Sequence, residues 1–133
     1  MRETVLIIDI IPSDSLQEKS PVLQGNAFPY QTIVVNGIEQ GVEWIHNGYS
    51  PVPDAIVFDM YGDKEAGMMN IRRLKNLGRD LPVIALVAYG DGESSNVAFH
   101  AGAFDCLSKP VSTERLHFTV QNALKFQRMS RHI

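Results

Sequence analysis

Short apolar segments recur along the chain, and a more polar stretch separates each one from the next. They are rich in valine and isoleucine and nearly continuous, without the alternation of a strand that faces water on one side. Such runs are typical of strands buried on both faces of a parallel sheet. The pattern therefore predicts five strands: TVLIIDI (4–10), QTIVVN (31–36), DAIVFDM (54–60), LPVIALVA (81–88) and a weaker AFDCL (103–107).

The stretches between and after these strands have helical spacing. Apolar residues three or four positions apart predict helices that each bury one face: Ile38, Val42 and Ile45; Met68, Ile71 and Leu74; and Leu116, Val120, Ala123 and Leu124. The last helix has Pro110 before it and Ser112 as its N-cap. Pro21 falls between the first two strands, where we expect a broken or shortened helix. A helix over 91–102 has few apolar contacts and is expected to be the least rigid.

Alternation of strands and helices predicts an α/β fold, an open parallel sheet with helices on both faces. A chain of 133 residues fits one domain. The net charge of −3 gives no general attraction to nucleic acid or to an anionic membrane. Cys106 is the only cysteine, which excludes an internal disulfide and fits a reducing compartment, and no apolar run approaches the roughly 20 residues of a membrane span. We therefore expect a cytoplasmic protein.

Charged residues stand at the carboxyl ends of three predicted strands. Asp9 closes the first strand, Asp59 closes the third, and Lys109 follows the fifth in the sequence SKP. In an open parallel sheet these positions meet at one edge, where ligands gather. Each residue alone could be an ordinary strand-end residue, but a carboxylate that closes a buried apolar strand is costly unless it is paired. Together they could hold a metal ion or receive a phosphoryl group on one carboxylate.

The order of five segments carries a resemblance to a known family: VLIIDIIP, VNGIEQGVEWI, AIVFDM, LPVIALVAYGD and AGAFDCLSKP. In this order and spacing the chain resembles a CheY-like response-regulator receiver domain over nearly all of its length. The resemblance implies a flavodoxin-like doubly wound sheet with strand order 2-1-3-4-5. It also implies that Asp59 is the phosphoacceptor, that Lys109 contacts the phosphoryl oxygens before a cis Pro110, and that Asp9, Asp59 and Tyr61 form the magnesium site.

The chain departs from the receiver pattern at several of these positions. Ile10 occupies the position after the first strand where the family has a second acidic residue. Loss of this carboxylate should weaken magnesium binding severely. Asp63 could supply a substitute oxygen. Val87 occupies the position at the end of the fourth strand where a residue with a hydroxyl group is expected. Cys106 occupies the position in the fifth strand where the aromatic switch residue is expected. We therefore hypothesise that Asp59 is phosphorylated slowly or not at all.

The carboxyl-terminal sequence ERLHFTVQNALKFQRMSRHI is similar to that of receivers attached to sigma-54-dependent transcriptional activators. This similarity implies a receiver over 1–127, and over 128–133 the start of a linker to an output domain with ATPase and DNA-binding parts. The implied partners are a sensor histidine kinase or phosphotransfer protein, the output domain and a second copy of the chain. The expected contact face carries Val97, Ala101, Cys106 and Phe118.

Two other functions remain open from the sequence. One is a pseudo-receiver that binds partners without phosphorylation, and the other is a small-ligand-binding or enzymatic domain on a flavodoxin-like fold, since fold does not fix function. No glycine-rich dinucleotide motif or P-loop is present. We expect a signalling domain without enzymatic activity of its own. Trp44 is expected to pack within the domain.

Overall fold

The computed structural model describes residues 2–9, 29–60, 63–78 and 80–130. Its strands are β1 (Glu3–Asp9), β2 (Tyr30–Asn36), β3 (Ala55–Asp59), β4 (Val83–Val87) and β5 (Asp105–Ser108). Its helices are α1 (Ile38–His46), α2 (Lys64–Leu77), α3 (Gly92–His100) and α4 (Thr113–Ser130). All five predicted strands are present, with bounds within two residues of those expected. The predicted broken helix around Pro21 lies outside the described residues.

The five strands form one parallel sheet in the order β2-β1-β3-β4-β5. The predicted flavodoxin-like, doubly wound fold is therefore confirmed, including its strand order. The first strand lies between β2 and β3, so the chain reverses its direction of travel across the sheet after β2. Ligand sites in such sheets form beside this reversal, at the carboxyl ends of the strands.

Alternate residues of the central strands enter two separate cores, as expected for strands buried on both faces. On one face, Val5 and Val57 pack with Leu116 and Val120 of α4. On the other face, Leu6, Ile8, Ile56 and Phe58 belong to a core that also contains residues of α2 and α3, with α1 packed against it. Helices on both faces of the sheet are thus confirmed.

Close packing of α1 on β1 depends on Gly41. A Cβ atom at this position would lie 2.4 Å from Cδ1 and 2.8 Å from Cγ1 of Ile8. Since real Cβ atoms do not approach other atoms this closely, only glycine permits the present separation of helix and strand.

The last helix is the longest and fastens the carboxyl-terminal part of the chain to the sheet. The Ser112 hydroxyl accepts a hydrogen bond from the Arg115 amide at 3.1 Å, as expected for the N-cap. The helix continues through the predicted domain boundary at 127 to Ser130, and Arg128 forms an ion pair with Glu3 of β1. No helix in the described part of the chain is long and apolar enough to cross a bilayer.

Candidate functional site

The structure brings three charged residues together at the carboxyl edge of the sheet. Asp9 and Asp59 are the last residues of the neighbouring strands β1 and β3, and Lys109 follows β5. The Lys109 amide donates a hydrogen bond to the Val87 carbonyl at 2.8 Å, which holds the start of this loop against β4. The peptide bond between Lys109 and Pro110 is cis. From this position the ammonium nitrogen Nζ reaches the Asp59 carboxylate, 2.7 Å from Oδ1.

The Asp59 carboxylate is buried and only partly neutralised. Asp59 is 3% exposed, and its Oδ2 has no hydrogen-bond partner among the described residues. Burial raises the pKa of Asp59 above its ordinary value, the hydrogen bond and charge of Lys109 act in the opposite direction, and the negative charge of Asp9 adds to the increase. The site therefore presents one bound and one unbound oxygen on the same carboxylate, a combination suited to receiving a cation or an electrophile.

Magnesium fits this donor set only in part. Mg²⁺ binds carboxylate oxygens, keeps several waters, and needs one or two protein carboxylates. Asp9, which is buried, and the unpartnered Oδ2 of Asp59 meet that minimum. No cluster of three or more histidine, cysteine or acidic side chains suited to a metal ion occurs within 2–9, 29–60, 63–78 and 80–130. The predicted ligand Tyr61 lies outside those ranges.

The structure gives Asp63 a different role from the substitute ligand considered above. Its side chain is exposed, and Oδ1 accepts a hydrogen bond from the Glu65 amide at 3.0 Å. Asp63 is thus the N-cap of α2, where a carboxylate satisfies a free amide and interacts favourably with the helix dipole.

Comparison with known proteins identifies the family. The family model described as the response regulator receiver domain matches residues 20–121. The chain belongs to the receiver domain family. Relatives include the regulatory protein AtoC of Escherichia coli, 28% identical over 107 residues, and the luminescence regulatory protein LuxO of Vibrio campbellii, 30% identical over 93 residues. The alignments cover 80% and 70% of this chain but only 23% and 20% of those proteins. The predicted resemblance to receivers of sigma-54-dependent activators is confirmed.

Solved structures support the same fold. A response regulator receiver domain protein from Clostridium thermocellum has a TM-score of 0.73 at 24% identity and covers 96% of this chain and 98% of its own. A CheY-like receiver from Methanospirillum hungatei has a TM-score of 0.75 at 20% identity, with coverages of 98% and 99%. An adenylate cyclase from Rhodopirellula baltica reaches 0.78 at 16% identity, covering 99% and 94%. Such identities establish the fold alone.

The two positions expected to report phosphorylation in a receiver are apolar or small here. Val87 is fully buried at the end of β4 and carries no hydroxyl group. Cys106 of β5 is partly buried, and its thiol donates a hydrogen bond to the Ser95 hydroxyl of α3 at 3.4 Å. Burial raises the pKa of the Cys106 thiol, so the thiol form is favoured. Cys106 joins β5 to α3 through a packing and hydrogen-bond contact.

The residues predicted to form the contact face of the receiver differ in their exposure to solvent. Phe118 of α4 is 64% exposed and available to a partner, whereas Val97 and Cys106 are partly covered. The prediction for Ala101 is wrong, because its side chain is buried in the core on the α3 side of the sheet. Phe99, which the sequence reasoning did not single out, is half-exposed at the end of α3.

Polar contacts at the start of α3 were also missed from the sequence. Asp91 is the N-cap of this helix, with Oδ1 accepting from the Ser94 amide at 2.9 Å and Oδ2 from the Ser94 hydroxyl at 2.6 Å. These bonds lower the pKa of Asp91. Glu93, the second residue of α3, forms an ion pair with Lys64 of α2 at 2.7 Å. An aspartate three residues before a serine at a helix start was the available capping signal.

Proposed function

We propose that this receiver is the signal-input domain of a two-component transcriptional regulator, with Asp59 as its phosphoacceptor. The supporting observation is the asymmetry of the Asp59 carboxylate. Lys109 binds Oδ1 at 2.7 Å, while Oδ2 is buried and has no partner in the described part of the chain. An oxygen that is not already engaged in a hydrogen bond is the better nucleophile, and the ammonium group beside it can stabilise the negative charge of the product.

The reaction is a phosphoryl transfer. Oδ2 attacks the phosphorus atom of the donor and forms a carboxyl–phosphate bond, while the bond from phosphorus to the leaving group breaks. A phosphohistidine donor releases its imidazole, which takes up a proton, and acetyl phosphate releases acetate. The new group brings a charge of about −1.5 to −2. Lys109 remains close enough to contact its oxygens.

Charge in the site makes this transfer slow. Unit charges 4 Å apart interact by roughly 1 to 4 kcal/mol at effective dielectric constants of about 80 to 20. Lys109 offsets part of the repulsion from Asp9, and a bound magnesium ion would supply the larger share by neutralising phosphoryl oxygens. Asp9 and Asp59 are the residues that would hold the ion. Ile10 removes one acidic ligand of the receiver pattern, so magnesium binds weakly.

The partners follow from the family and from the relatives. The phosphoryl donor is a sensor histidine kinase or a phosphotransfer protein. The chain spans about a quarter of the length of the regulatory proteins it matches. We therefore propose that the output is an ATPase and DNA-binding region in the same polypeptide, with a homodimer formed through the face that carries Phe118.

Acetyl phosphate tests this function directly. The chain is incubated with acetyl phosphate and magnesium, and the intact mass is followed with time. We expect slow, incomplete gain of one phosphoryl group, no gain in Asp59→Asn, and a rate at least tenfold higher in Ile10→Asp, which restores the acidic pair. Rapid stoichiometric gain in the unchanged chain would show that the magnesium site is not weakened. If the Ile10→Asp variant gives a folded NMR spectrum but gains no mass, the proposal that Asp59 is the phosphoacceptor is refuted.

A second candidate is an interaction module that works without phosphorylation. It is favoured by Val87 and by the contact between Cys106 and Ser95, because neither switch position has the group that would respond to a phosphoryl oxygen. Titration with beryllofluoride and magnesium, followed by NMR, distinguishes the two functions. Amide shifts that begin at Asp59 and reach Cys106 support the phosphorylated receiver, whereas an unchanged spectrum supports the module.

A further inference from the structure

A cleft of about 380 Å³ lies at the opposite edge of the sheet from Asp59. Helices from both faces of the sheet meet there, because α1 and α2 end beside the cleft and Gln127 of α4 also lines it. Pro53 lines the cleft too, and β3 then runs to Asp59, six residues further along. At the rise of an extended strand this separation is about 20 Å. The cleft is therefore separate from the phosphorylation site.

Apolar side chains form much of the described wall of the cleft, and solvent reaches two of them. Trp44, Tyr49, Val52 and Leu81 are among the lining residues. The Trp44 indole nitrogen donates a hydrogen bond to the Pro51 carbonyl at 3.1 Å, and its ring meets that of Tyr49 edge-on, with centroids 5.5 Å apart. These contacts hold the loop after α1 in place, yet Tyr49 and Val52 are 46% and 64% exposed. Neighbouring large apolar side chains that stay exposed on a fixed loop are typical of an interaction surface.

The last helix ends beside this cleft. Gln127 lines the cleft, and Ser130, three residues later, is the last residue of α4. Residues at this spacing lie on the same side of a helix, about 4.5 Å apart along its axis. Residues 131–133 span at most about 11 Å, whatever their conformation. Polypeptide that continues beyond residue 133 therefore starts close to the cleft.

We propose that the output region of the full-length regulator docks on this cleft through apolar side chains that cover Tyr49 and Val52. This inference rests on the proposed function, which places an output region in the same polypeptide; the chain spans about a quarter of the length of the regulatory proteins it matches. The occupant is the part of that region that directly follows residue 133. Phe118 does not line the cleft, so the proposed homodimer and the docked output region use different surfaces.

The covalent connection favours this occupant over a separate molecule. A short flexible linker gives the partner an effective concentration of the order of 1 mM, so a contact of small area is enough to keep it bound. A free ligand or a second copy of the chain would have to bind the same exposed side chains without that advantage.

Thiol labelling measures whether the output region covers the cleft. Val52→Cys is prepared in the full-length regulator and in chain 1–133, and Met69→Cys is the matched control, since Met69 is 61% exposed on α2 and does not line the cleft. Each protein reacts with N-ethylmaleimide, and mass spectrometry follows the peptide that contains the new thiol, so that Cys106 does not contribute. We expect position 52 to react at least tenfold more slowly in the full-length regulator than in chain 1–133, at every protein concentration. Position 69 should react at the same rate in both.

Three results would overturn the docking. Equal rates at position 52 in the two proteins would show an open cleft, and equal slowing at positions 52 and 69 would show general coverage without a specific contact. Slowing that grows with protein concentration would assign the cleft to a second copy, and slow reaction of position 52 in dilute chain 1–133 would assign it to a bound small molecule. The proposed phosphorylation is tested separately by the mass gain at Asp59 in chain 1–133, so either proposal can fail while the other stands.

Discussion

Replacing Lys109 with methionine removes the cation from the Asp59 carboxylate and keeps a side chain of similar length. In the wild-type chain, Nζ lies 2.7 Å from Oδ1 of Asp59, the lysine side chain is 24% exposed and the aspartate side chain is 4% exposed. At that separation Coulomb's law gives roughly 1.5 kcal/mol at an effective dielectric constant of about 80 and roughly 6 kcal/mol at about 20. Removing one member of a buried pair costs about 3–5 kcal/mol, and partial exposure of the lysine reduces this figure. We therefore expect the free energy of unfolding to fall by about 2–4 kcal/mol at neutral pH.

The loss should depend on pH in a defined direction. Lys109 holds down a pKa that burial raises above the ordinary 3.8 of an aspartate, so the variant has an even higher pKa at Asp59. A carboxyl group with a raised pKa destabilises the folded state when it is ionised and ceases to do so once protonated. The difference in unfolding free energy between variant and wild type is therefore largest at neutral pH. It shrinks as the pH falls through the raised pKa of Asp59.

Urea unfolding at neutral and acidic pH measures both effects. The double variant Asp59→Asn/Lys109→Met should recover most of the lost stability, because it removes the buried charge together with its partner. Lys125→Met, at an exposed position on α4, is the control for loss of a surface lysine and should change stability by less than about 0.5 kcal/mol. A loss in Lys109→Met no larger than that of the control, or a loss of equal size at both pH values, would refute the reasoning.

Three further changes test packing and capping, each by urea unfolding. Gly41→Ala should lower the free energy of unfolding by about 1–3 kcal/mol, because the new Cβ meets an isoleucine of β1. Gly92→Ala is the control and should be neutral or slightly stabilising, because the space around its Cβ is open. Equal losses in the two variants would contradict the close approach of α1 to β1. Asp63→Ala should cost about 1 kcal/mol and Asp63→Ser much less, and no difference between them would argue against the N-cap. Tyr30→Phe removes the hydrogen bond between its hydroxyl and Nδ1 of His117, 2.8 Å apart. It should cost about 1 kcal/mol, and an unchanged midpoint would show that this bond adds nothing to stability.

The strand pattern was readable from the sequence because burial on both faces leaves few alternatives to valine and isoleucine. The same reasoning placed Asp9 and Asp59 at strand ends, since a charge cannot continue into a buried strand without a partner. It failed at Ala101, which we placed on the partner contact face although the residue is buried in the core. Its burial depends on how α3 lies on the sheet, and a periodic pattern of weak apolar residues does not define that angle.

Asp63 illustrates a second limit of reading residues by type. An aspartate near a phosphorylation site can bind a metal ion or cap a helix, and both roles require only a carboxylate with free oxygens. The direction of the side chain shows which contact it makes. Here Oδ1 points back to the Glu65 amide, so the residue begins α2.

The sequence by itself determined the α/β class, the order of elements along the chain, the family, and the departures at Ile10, Val87 and Cys106. These features follow from local composition and from residues at fixed spacing. Only the tertiary structure decided that Lys109 binds one oxygen of Asp59 and leaves the other without a partner among the described residues, and that Trp44 and Gln127 meet in one cleft. The two residues of each pair are 50 and 83 positions apart in the sequence, respectively. Their distances depend on strand register and helix placement, which no local pattern specifies.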